Sequence, residues 1–452
     1  MSKKEDLETR EYAALILREI EKGEQHSHVL IKGVLDKNDD WESARKAFLK
    51  KLVMGVLERK IEMDYIISLY SNTPVKKIKP MVRIILESGI YQILYMYNVF
   101  DTKACNLSVE LAKKKGLSNL SGFLNGVLRS VVREKESIAY PAKEDNPALY
   151  FSVRYSMPEW MVKLFVSQYG EERTERMLAF FLEESGLKIH LKSSLPREEK
   201  KKLIGEIEKT ISVSKCSYLP DAYSLSHTKE VTNLPGFEEG MFTVQDYASQ
   251  LVGHLTPLKE GDVVFDVCAA PGGKSMYIAD RLKDTGVERA FDVSAAKISR
   301  ITENANRMGL SNILCEIHDA TQENKAFFEK ADVVLADVPC SGLGVIGRKP
   351  DMKHRLKEED IESILSLQKQ IVKAAVKDLK SGGILVYSTC TVNKAENEET
   401  AKWILKNLPL CELPFENLSD ELRDSLVSDG SIQLLPGEHD SDGFYIALFK
   451  KN

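Results

Sequence analysis

The chain has 452 residues, enough for two to four domains, so a lone small module is excluded. Charged residues make up 29% and hydrophobic ones 43%, values of a folded globular chain that exclude extensive disorder. The net charge of −5 is unevenly spread: residues 1–140 carry 24 basic and 19 acidic side chains and the remainder 39 and 49, compatible with nucleic-acid binding at one end without requiring it.

Met1 to Arg10 is charged and lacks the apolar stretch of a signal peptide, so a cytoplasmic location is expected. From Leu7 to about Arg133 the apolar period is helical, as in Phe48, Leu49, Leu52, Val53, Val56 and Leu57, which predicts a bundle around one core. Met81 to Tyr97 is apolar on nearly all sides and should be its central helix. The stretch from Ile84 to Phe100 is broken by Glu87, Ser88, Gln92 and Asn98, so no membrane span is expected. Lys76, Lys77 and Lys79 before that helix, and Lys113, Lys114 and Lys115 after it, are candidates for phosphate contacts or a solvated face.

Pro141, Asp145, Asn146 and Pro147 mark a linker. Pro158 to Glu184 reads as helix, Leu187 to Leu191 and Thr210 to Cys216 as strands, and Pro196 to Lys209 as a charged helix between them. Beyond Gly240 short apolar runs alternate with helical segments. The runs are Val263 to Ala269, Ala290 to Val293, Ile313 to Ile317, Asp332 to Val338, Ile384 to Ser388 and Phe444 to Phe449; the helices are Lys274 to Leu282, Ala295 to Met308 and Ile361 to Leu379. That alternation predicts a doubly wound sheet with its ligand at the carboxyl ends of the strands. The expected organisation is an all-α helical domain over 1–140, an α/β connector with a small RRM-like unit over 141–239, and a Rossmann-like α/β domain over 240–452.

The seven cysteines are scattered and include no C-x-x-C pair, which argues for reduced thiols over disulfides or a zinc ribbon. The eight histidines show no metal-binding spacing, so no metal is expected.

Three landmarks carry chemistry. The first is the turn Asp266-Val267-Cys268-Ala269-Ala270-Pro271-Gly272-Gly273-Lys274-Ser275 between a strand and a helix, where small residues admit a ligand to the backbone. A phosphate-binding loop needs Gly where Cys268 stands, and G-x-G-x-x-G is absent, so S-adenosylmethionine is the remaining ligand. Asp292, at the end of the next strand, is placed to accept from ribose hydroxyls, and Asp319, after the third, to reach the adenine amino group. Each is equally suited to capping a helix. The second landmark is Asp337-Val338-Pro339-Cys340-Ser341-Gly342 and the third Ser388-Thr389-Cys390, both at strand ends.

Two cysteines above such a turn suit methylation of a pyrimidine at carbon 5. That carbon is a poor nucleophile until a thiolate adds to C6, and the thiolate must later be expelled. Asp337 is placed to hydrogen-bond the base at N3 and its amino group. The thiol, with an ordinary pKa of ~8.5, needs local activation. Spacing alone leaves open which cysteine attacks.

DVCAAPGGK, DVPCSGLGVIGRKPD and STC resemble the motifs of the RNA cytosine-C5 methyltransferases of the NOP2/Sun type, and SGFLNGVLRSVV at Ser121 to Val132 resembles the end of the antitermination factor NusB. The resemblance covers nearly the whole chain. It implies a NusB-like RNA-binding domain and an S-adenosylmethionine-dependent methyltransferase acting on a cytosine of 16S ribosomal RNA. It makes Cys390 the nucleophile and Cys340 the residue that helps release the product. It places Cys268, Ala269, Ala270, Pro271, Gly272, Gly273, Lys274, Asp292, Asp319 and Asp337 around the cofactor. FTVQDYASQ, from Phe242 to Gln250, is similar to the segment that closes the catalytic domain, and Leu435 to Phe444 to its C-terminal hairpin. The chain departs from the pattern at Gly347, where arginine is usual, and at His190, where asparagine is common, both where RNA contacts are expected. A monomer without membrane association or metal is expected. Transfer RNA as substrate, or an inactive NusB-like ribosome-assembly scaffold, are the alternatives.

Overall fold

The structure, a computed structural model, describes residues 2–23, 25–183, 186–226, 231–416 and 418–452. The chain folds into two compact units, Met1–Leu182 with Ile346–Leu356, and Glu183–Val345 with Lys357–Asn452.

The first unit is helical, as the period predicts. It runs through α1 (Lys3–Lys22), α2 (Ser27–Lys37), α3 (Ser43–Tyr70), α4 (Pro80–Tyr95), α5 (Asp101–Lys114), α6 (Ser121–Glu134), α7 (Pro147–Arg154) and α8 (Glu159–Phe180). Pro80 opens α4, where its missing N–H leaves no helical bond unmade. Along α4 Val82, Ile84, Ile85, Leu86, Ile90 and Ile93 are buried, and the helix packs on α1, α3, α5 and α6. It is the expected central helix but stops at Tyr95. Tyr97 lies in the following turn, 94% exposed, because apolar composition does not by itself set a helix end.

Residues 147–180, expected in the connector, group instead with the helical unit. The Ser156 hydroxyl accepts the Ile61 N–H of α3 at 3.0 Å, and α7 packs on α3. Gly170, at φ 76°, breaks the direction of α8, so the run expected as one helix is bent; its last expected residue, Glu184, lies outside the described residues. Of the lysine clusters, Lys114 and Lys115 both pair with Glu11, whereas Lys76, Lys77 and Lys79 stand exposed.

The second unit opens with β1 (Leu187–Leu191), α9 (Arg197–Glu208), β2 (Val213–Lys215), β3 (Ala222–Leu225) and β4 (Phe242–Val244). They form an antiparallel sheet ordered β2-β3-β1-β4, covered by Leu203 and Ile207 of α9. β4 belongs to the segment that the resemblance gives to the catalytic domain, yet it completes the connector sheet by pairing with β1.

The remainder comprises α10 (Tyr247–Leu255), β5 (Val263–Asp266), α11 (Gly273–Leu282), β6 (Val287–Asp292), α12 (Ala295–Arg307), β7 (Ile313–Ile317), β8 (Ala331–Asp337), α13 (Met352–Arg355), α14 (Asp360–Asp378), β9 (Leu379–Thr389), α15 (Glu398–Asn407), β10 (Leu410–Glu412), β11 (Leu426–Ser428), β12 (Ser431–Leu434) and β13 (Phe444–Lys451). The sheet order is β11-β12-β13-β9-β8-β5-β6-β7, with β10 on β13. β7, β6, β5, β8 and β9 are parallel, and β13 joins β9 antiparallel. Both faces are covered: Val264 packs with Leu251, Val252 and Ile278, and Phe265 with Ile371, Val372 and Ile404. From β5 the chain first builds β6 and β7 on one side and then β8 and β9 on the other, which opens a crevice at the carboxyl ends.

The stretch Ile346–Leu356, with α13, belongs to the helical unit although it follows the Cys340 motif directly. Lys353 Nζ donates to the Glu58 carbonyl at 2.6 Å, His354 Nε2 bonds the Leu57 carbonyl at 2.7 Å, and Asp351 accepts the Ser27 N–H at 3.3 Å. Gly347 lies on the Phe181 backbone, where a Cβ would come within 2.9 Å of the carbonyl oxygen. The arginine usual at this position has no room here.

Candidate active site

The Gly-rich turn leaves β5 at Asp266 and enters α11. The Asp266 carboxylate accepts the Cys268 N–H at 3.3 Å and the Ser275 hydroxyl at 2.6 Å, fastening both ends of the turn. Burial pushes its pKa up to about 7, opposed by the Ser275 bond and reinforced by the charge of Asp337. The Ala269 N–H donates to the Phe291 carbonyl at 2.9 Å and ties the turn to β6. Gly272 sits at φ 103°, a conformation that favours glycine, and a Cβ there would press on Ile301 at 3.2 Å.

Asp292 ends β6 and is buried; its carboxylate accepts the Ser294 N–H at 3.1 Å and Lys297 Nζ at 3.3 Å. The first bond closes a turn ahead of α12, whose N-cap is Ser294 and has no side-chain cap bond, so Asp292 does not cap the helix in the way the plain alternative expects. Beside it Val293 is 63% exposed and Ile317, its register neighbour's side chain on β7, is 62% exposed. Sequence reasoning missed this apolar surface next to a buried carboxylate; Val293 was legible only as a strand residue. Asp319 is exposed, and its Oδ1 accepts the Thr321 hydroxyl at 2.7 Å and N–H at 2.9 Å, bonds that hold its pKa below the usual carboxylate value.

Asp337 and Ser388 pair in register at the ends of β8 and β9, and the Ser388 hydroxyl donates to Asp337 Oδ1 at 2.8 Å. Lys274 reaches across from the Gly-rich turn to Asp337 Oδ2, also at 2.8 Å. Burial opposes the charge of Lys274, but Asp337 outweighs it, and negative charge at Cys390 adds to the effect, so the ammonium is held above its ordinary pKa. Lys274, expected as part of the cofactor turn, is thus held by the Asp337 carboxylate.

Cys340 Sγ and Cys390 Sγ are 3.2 Å apart. The Cys340 thiol is pushed well above its ordinary pKa, first by its hydrogen bond with Cys390, then by burial, then by the charges of Cys390 and Glu396. The raised Cys340 pKa favours its protonated form, a thiol that can share its hydrogen with Cys390. Gly344 donates its N–H to the Cys390 carbonyl at 3.1 Å and accepts the Gly443 N–H at 2.9 Å, joining both cysteine loops to the C-terminal hairpin. A Cβ on Gly344 would overlap the Gly443 carbonyl, so Gly344→Ala should lose about 3 kcal/mol of stability by overpacking, read as a lowered denaturant midpoint.

His190 is buried and stacks on Tyr277 with ring centroids 4.2 Å apart; burial lowers its pKa to about 4. It is a packing residue between the connector sheet and α11, not the RNA-facing side chain that its place in the motif pattern suggests. Among the described residues no group of three or more His, Cys, Asp or Glu side chains is arranged to hold a metal, and no helix is long and apolar enough to cross a membrane.

A family model described as 16S rRNA methyltransferase RsmB/F matches residues 254–450, and the NusB family matches residues 7–133. A probable ribosomal RNA small subunit methyltransferase B of Synechocystis is 36% identical over 98% of this chain and 100% of its own length. The corresponding protein of Bacillus subtilis is 34% identical over 98% of each. A solved structure of a methyltransferase homolog from Pyrococcus horikoshii covers 68% of this chain and 99% of its own, at 25% identity and a TM-score of 0.58. The parallel sheet with its Gly-rich turn and facing cysteines, the helical NusB domain and these full-length likenesses agree: the chain belongs to the RsmB/F family of methyltransferases.

Proposed function

We propose that the protein transfers a methyl group from S-adenosylmethionine to C5 of one cytosine in small-subunit ribosomal RNA, through a covalent bond between Cys390 and C6. The observation that carries this reading is the pair of sulfurs 3.2 Å apart at the carboxyl ends of the parallel strands, where Lys274 also pairs with Asp337. The Cys390 thiolate adds to C6 and the electron pair moves to C5, which takes the methyl group. The C5 proton then leaves to a water molecule, the pair re-forms the C5–C6 double bond, and the C6–S bond breaks to return the thiolate. Cys340, held as a thiol beside the departing sulfur, steadies that thiolate by donating a hydrogen bond to it as the C6–S bond breaks. Asp337, held by Lys274 and Ser388, accepts from the amino group of the base.

The residues present fit S-adenosylmethionine. The turn of Cys268 to Lys274 would admit its chain, the buried Asp292 carboxylate would accept from the ribose, exposed Val293 and Ile317 would offer an apolar surface to the adenine, and Asp319 would accept from its amino group. When bound, it supplies an electrophilic methyl group. The target base must be unstacked to enter the crevice, at a cost of about a few kcal/mol. RNA is held by the helical unit and connector through phosphate contacts, with exposed Lys76, Lys77 and Lys79 as candidates. In this reading the protein works in the cytoplasm as a monomer and without a metal.

Asp292→Ala should weaken cofactor binding about tenfold to a few hundredfold, since each charge-assisted bond lost is worth ~1.5–3 kcal/mol. Loss of its bond to the Ser294 N–H adds a stability loss of ~1 kcal/mol. Calorimetry with S-adenosylhomocysteine checks the first; unchanged affinity with only a lowered melt would leave Asp292 a residue of the turn before α12. The function itself is tested by bisulfite sequencing of RNA from a strain lacking the protein. One protected cytosine in small-subunit rRNA should be lost. Loss in transfer RNA, or no loss, would contradict the substrate or the activity respectively.

A further inference from the structure

Glu396 lies six residues beyond Cys390 and is completely buried. Its Oε2 accepts the Ser341 N–H at 2.8 Å and Gln368 Nε2 at 3.0 Å, and its Oε1 accepts the Ser341 hydroxyl at 2.6 Å and Asn393 Nδ2 at 3.1 Å. All four donors are uncharged. Ser341 follows Cys340, and its hydroxyl also meets that of Thr391, which follows Cys390, at 2.7 Å. Gln368 bonds the Pro339 carbonyl at 3.1 Å on the other side of Cys340, and the Tyr387 hydroxyl donates to the Glu396 carbonyl at 2.6 Å. The two chain segments that carry the reacting sulfurs thus converge on one carboxylate, although the cysteines are fifty positions apart.

We infer that Glu396 is the positioning residue of the thiol pair: by fastening the residue after Cys340 to the loop after Cys390, its carboxylate sets the separation and direction of the two sulfurs. The inference rests on the proposed reading of that pair as the reacting groups. Only an acceptor-only side chain satisfies four converging donors on two oxygens. A glutamine would turn an NH2 group toward one pair of them. The carboxylate also brings its charge to Cys340 and so supports the protonated form of that thiol.

The test uses the full chain, a 5-fluorocytosine-labelled RNA and S-adenosylmethionine; fluorine cannot leave C5 as a proton does, so the C6–S adduct persists. Glu396→Gln should slow adduct formation by about a hundredfold or more while binding S-adenosylhomocysteine within about twofold of wild type, because the Gly-rich turn is not touched. The pH profile of Cys340 alkylation should also move to lower pH, since a negative charge beside that thiol is gone; a merely structural role would leave the profile in place. Glu396→Asp should restore the profile better than the rate. Ser341→Ala keeps the charge and the backbone N–H bond but removes the hydroxyl that meets both Glu396 and Thr391, so it should slow adduct formation, by less than Glu396→Gln, with the profile unmoved, and it decides the matter if Glu396→Gln does not fold. Variants that form adduct at the wild-type rate with wild-type alkylation profiles overturn the role of Glu396 alone. A wild-type protein that forms no adduct overturns the reading of the thiols, and the role of Glu396 falls with it.

Discussion

Cys390→Ala is expected to abolish both methyl transfer, by more than about a thousandfold, and the covalent RNA adduct, because no other group at the site replaces the sulfur that adds to C6. Cys340→Ala should behave differently. With Cys390 and Lys274 intact the addition still proceeds, but release lacks its thiol, so a protein–RNA band should accumulate that survives a denaturing gel. The basis is the 3.2 Å sulfur pair, in which Cys340 is held protonated while Lys274 and Cys390 interact electrostatically. The opposite pattern, adduct with Cys390→Ala and none with Cys340→Ala, would exchange the two roles.

Lys274→Met is expected to have the next largest effect. The ammonium joins Asp337 at 2.8 Å in a site where little solvent reaches it, and its charge favours a thiolate at Cys390. Methionine keeps the length and removes the charge. Cys390 should then ionise at higher pH, so the alkylation profile of that thiol moves upward, and methyl transfer at neutral pH should fall by ~100-fold or more, the range for removing one preorganised electrostatic partner. Stability should fall too, because Asp337 loses its cation while remaining largely enclosed; one partner of a buried pair removed costs ~3–5 kcal/mol, less here because Asp337 is 24% exposed. Lys274→Arg separates the effects: it keeps the charge, so the Cys390 profile should return toward wild type even if packing suffers. A Cys390 profile unchanged by Lys274→Met would remove the lysine from the activation of the thiol.

The elements legible in the sequence were those whose partners impose a local period. α4 is apolar all round because four helices cover it, and the five parallel strands are continuous apolar runs because both faces of the sheet are covered. The acidic and cysteine residues at the strand ends stood out as breaks in those runs. What depended on distant partners was not legible. β10, β11 and β12 are strands of three or four residues with no period of their own; β10 and β12 are fixed by pairing with β13, and β11 by pairing with β12. β4 reads as the start of the catalytic domain but takes its register from β1. The Cys340 motif reads as one loop, whereas its second half packs in the helical unit through Lys353 and His354. Glu396 sits in NKAENEET, a stretch as charged as any solvated helix start, and nothing in that spacing shows that a serine fifty-five positions earlier is bonded to it. Lys274 could be read as a ligand of the cofactor because its turn is continuous in sequence; its hydrogen-bond partner, Asp337, stands at the end of a later strand.

The most direct measurement of the central claim is peptide mapping by mass spectrometry of the complex trapped on 5-fluorocytosine-substituted small-subunit rRNA with S-adenosylmethionine. The account predicts a methylated, fluorinated pyrimidine attached to the peptide containing Cys390, with Cys340 unmodified. Attachment at Cys340, or methylated RNA formed with no nucleotide bound to either cysteine, would contradict it.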